Sequence, residues 1–98
     1  MKKQAAILVT GDFNLVEFKN YLIYKITTFN LQSKMQEHVD VTGKIDISTP
    51  NNIRIALQGE ERDINIVYDW AKRGPVISHI TSYSIKWKPI KGRFPQFV

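Results

Sequence analysis

The sequence predicts a two-layer α+β domain, with two helices packed on one face of an antiparallel sheet of four or five strands. Segments in which apolar and polar residues alternate indicate half-buried strands. Two other segments, with apolar residues three and four positions apart, indicate amphipathic helices. The order along the chain is β-α-β-β-α-β, which is typical of the ferredoxin-like sandwich.

A strand and a helix make up the first part of this order. Residues 3–10 are rich in Ile, Leu and Val and stop at Gly11, as expected of a buried strand. From Val16 to about Leu31 the spacing changes, and an apolar stripe predicts a helix with one buried face. The stripe consists of Leu15, Phe18, Leu22, Ile26 and Phe29.

A hairpin follows the first helix. Residues 39–47 alternate between apolar and polar side chains, and residues 53–57 do so again before Gly59. Between them, residues 48–52 contain a proline and two asparagines, which favour the backbone angles of a turn. The sequence therefore predicts two neighbouring antiparallel strands.

The second helix is predicted from residue 60, where acidic side chains fall in the first turn and interact favourably with the helix dipole. Gly74 and Pro75 end it. Its expected inner face includes Tyr68, with Trp70 beside that face. The other expected inner residues are Ile64, Val67 and Ala71.

The last long strand is predicted over residues 76–87. Simple alternation places Ile85 and Trp87 on one face and Ile80 on the other, together with several serines. Residues 94–98 predict a short additional edge strand.

Size and composition limit the possible classes. The chain has 98 residues, so we expect one domain spanning 1–98. It has no cysteine, which excludes disulfides and thiolate metal sites and favours a cytoplasmic location. No apolar run is long enough to span a bilayer, so we expect no membrane partner. The net charge of +5 permits an anionic partner without requiring one.

The first strand leads into Val9-x-Gly11-x-Phe13-Asn14, and the second helix ends in Trp70-x-x-x-Gly74-Pro75. With these motifs the sequence resembles the acylphosphatase family over nearly the whole chain. The family's first strand and loop read V-x-G-x-V-Q-G-V-x-F-R, and its second helix ends in W-x-x-x-G-P. Its hairpin keeps glycines at both ends. The stretch between Phe18 and Gly43 is longer here, with residues 33–38 as the extra material, so the alignment of the second strand is open. Matching positions are Val9, Gly11, Phe13, Asn14, Val16, Phe18, Lys19, Gly43, Ile45, Ile53, Gly59, Ile64, Val67, Trp70, Gly74, Pro75, Ser78 and Ile80.

The resemblance implies a phosphate site at the end of the first strand. In that family, backbone N–H groups of the loop hold a phosphate, an arginine grips it, and an asparagine on the second strand holds the attacking water. The arginine position is Lys19 here, and the asparagine position is Ile47, or Glu37 if the gap lies later. The implied phosphate-binding residues are Asn14, Leu15, Val16, Glu17, Phe18 and Lys19.

Several of these positions carry the wrong chemistry for efficient hydrolysis. Lys19 keeps a positive charge but lacks the planar fork of a guanidinium. Leu15 replaces a glycine, which would be strained if the site needs a positive φ. The Glu17 carboxylate would repel a phosphoryl group, and Ile47 cannot orient a water molecule.

We therefore expect an acylphosphatase-like domain that is catalytically degenerate, without cofactor or metal, and retains weak binding of phosphate or an acyl phosphate or acts as a binding module. One alternative is an active acylphosphatase that hydrolyses acyl phosphates to carboxylate and phosphate. Isolated His38 and His79 lack the neighbours of a metal or catalytic site.

A second alternative is binding of nucleic acid or an acidic partner through a basic segment near the C-terminus. Charge and interleaved aromatic residues are a combination that binds single strands. The segments predicted as the two central strands carry no aromatic residue, which argues against the binding mode of RNA-recognition motifs. The basic segment contains Lys86, Trp87, Lys88, Lys91, Arg93 and Phe94.

Overall fold

A computed structural model describes residues 2–27, 40–75, 78–90 and 92–94. These residues form four strands and two helices in the predicted order. The elements are β1 (Lys2–Asp12), α1 (Leu15–Thr27), β2 (Val41–Asp46), β3 (Asn52–Glu60), α2 (Glu61–Arg73) and β4 (His79–Lys88).

The sheet has the strand order β2-β3-β1-β4, and every neighbouring pair is antiparallel. Both helices cover one face of it, which confirms the ferredoxin-like sandwich. Phe94 is not part of a strand, and residues 95–98 of the expected edge strand lie outside the described residues. Neither helix in the described part of the chain is long and apolar enough to cross a bilayer.

The core lies between the sheet and the helices. In β1, alternate side chains are buried against the helices, as the pattern predicts for a half-exposed strand. In α1, the central part of the apolar stripe is buried, while Leu15 is half-buried and packs at the edge. Residues 28–31, including Phe29, lie outside the described residues. The fully buried larger side chains are Ile7, Val9, Phe18, Leu22, Ile53, Ile55, Leu57, Ile64 and Val67.

Helix α2 presents a slightly different face from the predicted one. Trp70 is only 6% exposed and belongs to the core, whereas Tyr68 is half-buried at its edge. The Tyr68 ring instead contacts Tyr83 edge-on, with 6.1 Å between centroids. The helix ends as predicted at Gly74, whose φ of 63° suits glycine and whose N–H donates to the Trp70 carbonyl at 2.9 Å.

A β-bulge changes the phase of β4. Thr10 pairs with Ser82 but Gly11 pairs with Ile80, so Thr81 is an additional residue on β4. Ile80 consequently turns to the helix side and packs against the core, and its predicted placement among the serines was wrong. A Cβ on Gly11 would lie 2.2 Å from the His79 carbonyl oxygen, so only glycine fits this close crossing.

Candidate functional site

The candidate site lies at the end of the sheet where β1 stops and α1 begins. Only Phe13 and Asn14 separate the two elements. The Gly11 N–H donates to the carbonyl of Asn51 at 3.0 Å, which holds the end of β1 against the turn between β2 and β3. Because β1 and β2 run in the same direction on either side of β3, their C-terminal ends lie at this same edge.

Asn14 is the N-cap of α1. Its side-chain Oδ1 accepts a hydrogen bond from the Glu17 N–H at 3.0 Å. Its backbone carbonyl accepts the first intrahelical bond, from the Phe18 N–H at 2.9 Å. This geometry is the one that asparagine favours at helix starts.

Two phenylalanines fix the angle at which the chain enters the helix. The Phe13 ring, just before the cap, lies 4.7 Å from the Phe18 ring between centroids. An apolar contact between the residue before the cap and the fourth helical residue is a hydrophobic staple. Phe18 is fully buried, so the start of α1 is anchored in the core.

The cap determines which backbone groups are left for an anion. Of the six residues expected to hold a phosphate, Glu17 and Phe18 already use their N–H groups within the cap and the first turn. Lys19 is the fifth residue of α1, and in an α-helix the N–H at this position bonds back to the carbonyl of the first residue, Leu15. The N–H groups of Asn14, Leu15 and Val16 therefore remain as the donors of this helix start.

Leu15 takes a helical conformation as the first residue of α1. Positive φ angles occur, among the described residues, at Asn51 and three glycines and not at Leu15. The strain expected for a non-glycine residue at this position is therefore absent. Leu15 begins a helix, whereas glycine would be required only if this position formed a loop with a positive φ.

Two side chains of opposite charge, Glu17 and Lys19, lie near the start of α1. The Glu17 carboxylate is exposed in the first turn, where the helix dipole favours a negative charge. Lys19 is half-buried and makes no ion pair or hydrogen bond with the described residues. Because Cα–Cβ bonds in a helix tilt towards its N-terminus, the Lys19 side chain leaves the helix in the direction of the free N–H groups.

Ile47 follows the last residue of β2 and lies at the same sheet end as the start of α1. It is half-buried and packs against the core, where it supplies only apolar surface. Asn52 is an amide at this end of β3, but it alternates with buried Ile53 and so faces away from the helices. Glu37, the other candidate for the water-holding position, lies outside the described residues.

The turn beside Ile47 has a carboxylate with a perturbed pKa. Asp46 Oδ1 accepts a hydrogen bond from the Ser48 N–H at 2.9 Å. Hydrogen bonds from the Ser48 side chain and backbone lower the pKa of Asp46 below its ordinary value, and Arg54 and Lys44 assist. Asp46 is exposed and stays ionised near neutral pH, so it is not suited to donate a proton there.

The basic segment near the C-terminus divides between two faces. Lys86 pairs with Ala6 and faces away from the helices, whereas Trp87 pairs with buried Ala5 and faces the helix side. The Trp87 ring lies 5.8 Å from the Lys3 ammonium there. Within the basic segment, Lys86 and Trp87 thus lie on opposite faces of the sheet. Arg93 is exposed, and Lys91 lies outside the described residues.

Within the described ranges, no three His, Cys, Asp or Glu side chains are grouped so as to hold a metal ion. His79 is exposed on β4 and His38 lies outside the described residues. The sequence carries a signal for the Asn14 cap, since Asn14-x-x-Glu17 before an apolar stripe is typical of a helix start.

Comparison with known proteins agrees with this fold. No protein-family model matches the sequence. A curated acylphosphatase from Geotalea uraniireducens (strain Rf4) is 24% identical over 97 residues, which cover 99% of this chain and 96% of that protein.

Solved structures give the same result. An acylphosphatase from Coxiella burnetii superposes with a TM-score of 0.72 at 17% identity, covering 94% of this chain and 86% of that one. An acylphosphatase from Bacillus subtilis gives 0.73 at 18% identity, covering 98% and 96%. Full-length HypF, crystallised in a phosphate- and nucleotide-bound form, gives 0.73 at 18% identity, covering 98% of this chain but 11% of HypF.

The chain is thus a ferredoxin-like α+β domain with two helices on one face of its sheet. More closely, it is acylphosphatase-like, with similarity extending over nearly its whole length.

Proposed function

We propose that this acylphosphatase-like domain is catalytically degenerate and retains at most weak binding of phosphate or an acyl phosphate at the start of α1. Residues 1–98 are taken as one domain, and the cytoplasmic location expected from the absence of cysteine belongs to the same proposal. The observation that carries it is the Asn14 cap. Its side chain accepts the Glu17 N–H, one of the groups that an anion at this helix start would need.

The remaining groups support weak binding rather than hydrolysis. The three remaining N–H groups and the Lys19 ammonium suffice to attract an anion. They do not fix its orientation, because an ammonium is a point charge and not a bidentate fork. The exposed Glu17 carboxylate reduces even this attraction.

No group at the position of Ile47 can hold the attacking water. Removing one well-placed electrostatic donor typically lowers a rate by about 10²–10³. Here the guanidinium, the amide and the glycine-dependent loop that would hold the phosphate are all replaced. Although such losses are not additive, together they support a rate close to that of the uncatalysed reaction.

The test is hydrolysis of benzoyl phosphate by the wild type and by Lys19→Ala. Lys25→Ala removes a charge from the same helix further from its start and serves as the matched control. We expect all three proteins to give the rate of buffer alone. Wild-type turnover that Lys19→Ala abolishes and Lys25→Ala preserves would establish the alternative, an active acylphosphatase, which the curated relative favours.

A further variant tests the reason for the low activity. Lys19→Arg/Ile47→Asn restores the fork and the amide but leaves the capped helix start in place. We expect it to remain far below an efficient enzyme. Substantial activity in this double variant would mean that the cap does not prevent phosphate from entering.

A further inference from the structure

The face of the sheet opposite the helices carries a regular arrangement of charge and small side chains. Strand pairing places Lys44 beside Ala56, Ala56 beside Ala6, and Ala6 beside Lys86. These four residues form one row across all four strands, which we call the lysine–alanine row. Its two lysines stand at the outer strands, and its two alanines stand at the centre.

The neighbouring row strengthens this arrangement. It runs from Asp46 through Arg54 and Leu8 to Ser84. Leu8 is 37% exposed and adds apolar surface beside the alanines. Arg54 adds a third cation, which the Asp46 carboxylate partly offsets.

Small side chains at the centre leave a depression of about 320 Å³ between the lysines. Its floor includes Ala6, Leu8 and Ala56. Its rim includes the cations of Lys44, Arg54 and Lys86 and one carboxylate, that of Asp46. With three cations against one carboxylate the rim is positive on balance, and an apolar floor within it complements a ligand that has an apolar group between two anionic ones. A second copy of this chain is a poor match, because the chain itself is basic, with a net charge of +5.

The span of the row limits the shape of the ligand. Neighbouring strands lie about 4.8 Å apart, so three spacings separate the Lys44 and Lys86 backbones by about 14 Å. In an extended peptide, side chains at positions i, i+2 and i+4 point to the same side, and four residues span about 13 Å. Two carboxylates at i and i+4 therefore match the two lysines, with the side chain at i+2 above the alanines.

We propose that this face binds an extended acidic segment of a partner protein, lying along the lysine–alanine row. Carboxylates at i and i+4 pair with Lys44 and Lys86, and an apolar side chain at i+2 fills the depression between them. Nucleic acid fits less well, because neither row contains an aromatic side chain on which bases could stack. This surface faces away from the start of α1, so the proposal is independent of catalysis.

Binding of fluorescein-labelled peptides, measured by anisotropy at low salt, tests this directly. The probe has the central sequence Glu-Ser-Leu-Ser-Glu. Its control, Glu-Glu-Ser-Ser-Leu, has the same composition in a different order. We expect the probe to bind at least fivefold more tightly than the control, and added salt to weaken it.

Matched protein variants distinguish the contribution of this row to peptide affinity from that of the overall charge. Lys44→Gln/Lys86→Gln should weaken the probe about tenfold, since each exposed charge pair contributes up to about fivefold. Lys25→Gln/Lys72→Gln removes the same charge from the helix layer and should change affinity less than twofold. Lys44 and Lys86 are exposed, whereas Lys25 and Lys72 are half-buried beside aromatic rings, so circular dichroism must first show that both double variants are folded.

Four outcomes overturn the proposal. The two peptides bind equally, or the two double variants weaken binding equally, or no binding occurs at low salt. In the fourth outcome, oligo(dT) binds more tightly than the probe and loses affinity in Lys44→Gln/Lys86→Gln, which would assign the face to nucleic acid. Acylphosphatase activity in the hydrolysis assay would contradict the proposed function but would leave the peptide-binding result unchanged, because the two sites lie on different faces.

Discussion

The substitution Asn14→Ala removes the cap that distinguishes this helix start. The variant loses the acceptor of the Glu17 N–H, which lies 3.0 Å from Asn14 Oδ1 in the native protein. Replacement of an N-cap asparagine by alanine typically costs about 1 kcal/mol of stability. In a domain of this size that corresponds to a fall of about 5 °C in melting temperature. In urea it lowers the unfolding midpoint by about 0.5–1 M.

Urea unfolding followed by circular dichroism gives the free energy of unfolding for each variant. Asn14→Asp keeps the acceptor and should stay within about 0.5 kcal/mol of the wild type. Asn20→Ala is the matched control, because Asn20 is exposed within the same helix. There the change should be neutral or slightly stabilising, by up to about 0.5 kcal/mol, since alanine is the better helix former. A cost below about 0.3 kcal/mol for Asn14→Ala would refute the capping role.

Three further predictions concern packing and titration. Gly11→Ala should cost about 2 kcal/mol or more in urea unfolding, because the new methyl would meet the His79 carbonyl at 2.2 Å; an unchanged midpoint would contradict the close crossing. Burial raises the pKa of Tyr21 above its ordinary 10.0, so its contribution to stability should be present below that pH and be lost as pH rises through the raised value; an NMR titration of the ring giving 10.0 or less would contradict this. The hydrogen bond and charge of Lys3 lower the pKa of Glu61 below 4.5, so its small stabilisation should be present above that pH and be lost as pH falls; Lys3→Gln should return the carboxyl titration to its ordinary value, and an unchanged titration would contradict the pairing.

The fold could be predicted from the sequence because its signals are local. The stripe through Phe18, Leu22 and Ile26 specifies both the helix and its buried face. Likewise, Gly74 after Trp70 specifies where α2 ends. The face of Ile80 could not be predicted from alternation, because the bulge depends on how β4 meets β1 across the sheet.

The candidate site was predictable in position but not in conformation. Aligned positions place Lys19 and Ile47 at one end of the sheet, and the topology agrees. Residues 14–19 could form an open loop or a capped helix. Which one forms depends on how far the Asn14 cap and the contact between Phe13 and Phe18 stabilise the helix, and a comparison of motifs does not include these energies. The lysine–alanine row also depends on register, since Lys44 and Lys86 are distant in sequence and meet only through β3 and β1.

The proposed degeneracy requires that the cap of α1 occupy the place of a phosphate-binding loop. Titration of the protein with inorganic phosphate, followed by backbone amide NMR, tests it most directly. We expect weak shifts confined to the N–H groups of Asn14, Leu15 and Val16, with Glu17 and Phe18 unaffected. Saturable shifts that extend through Glu17, Phe18 and Lys19 and disappear in Lys19→Ala would contradict it, because they would require the cap to open around the anion.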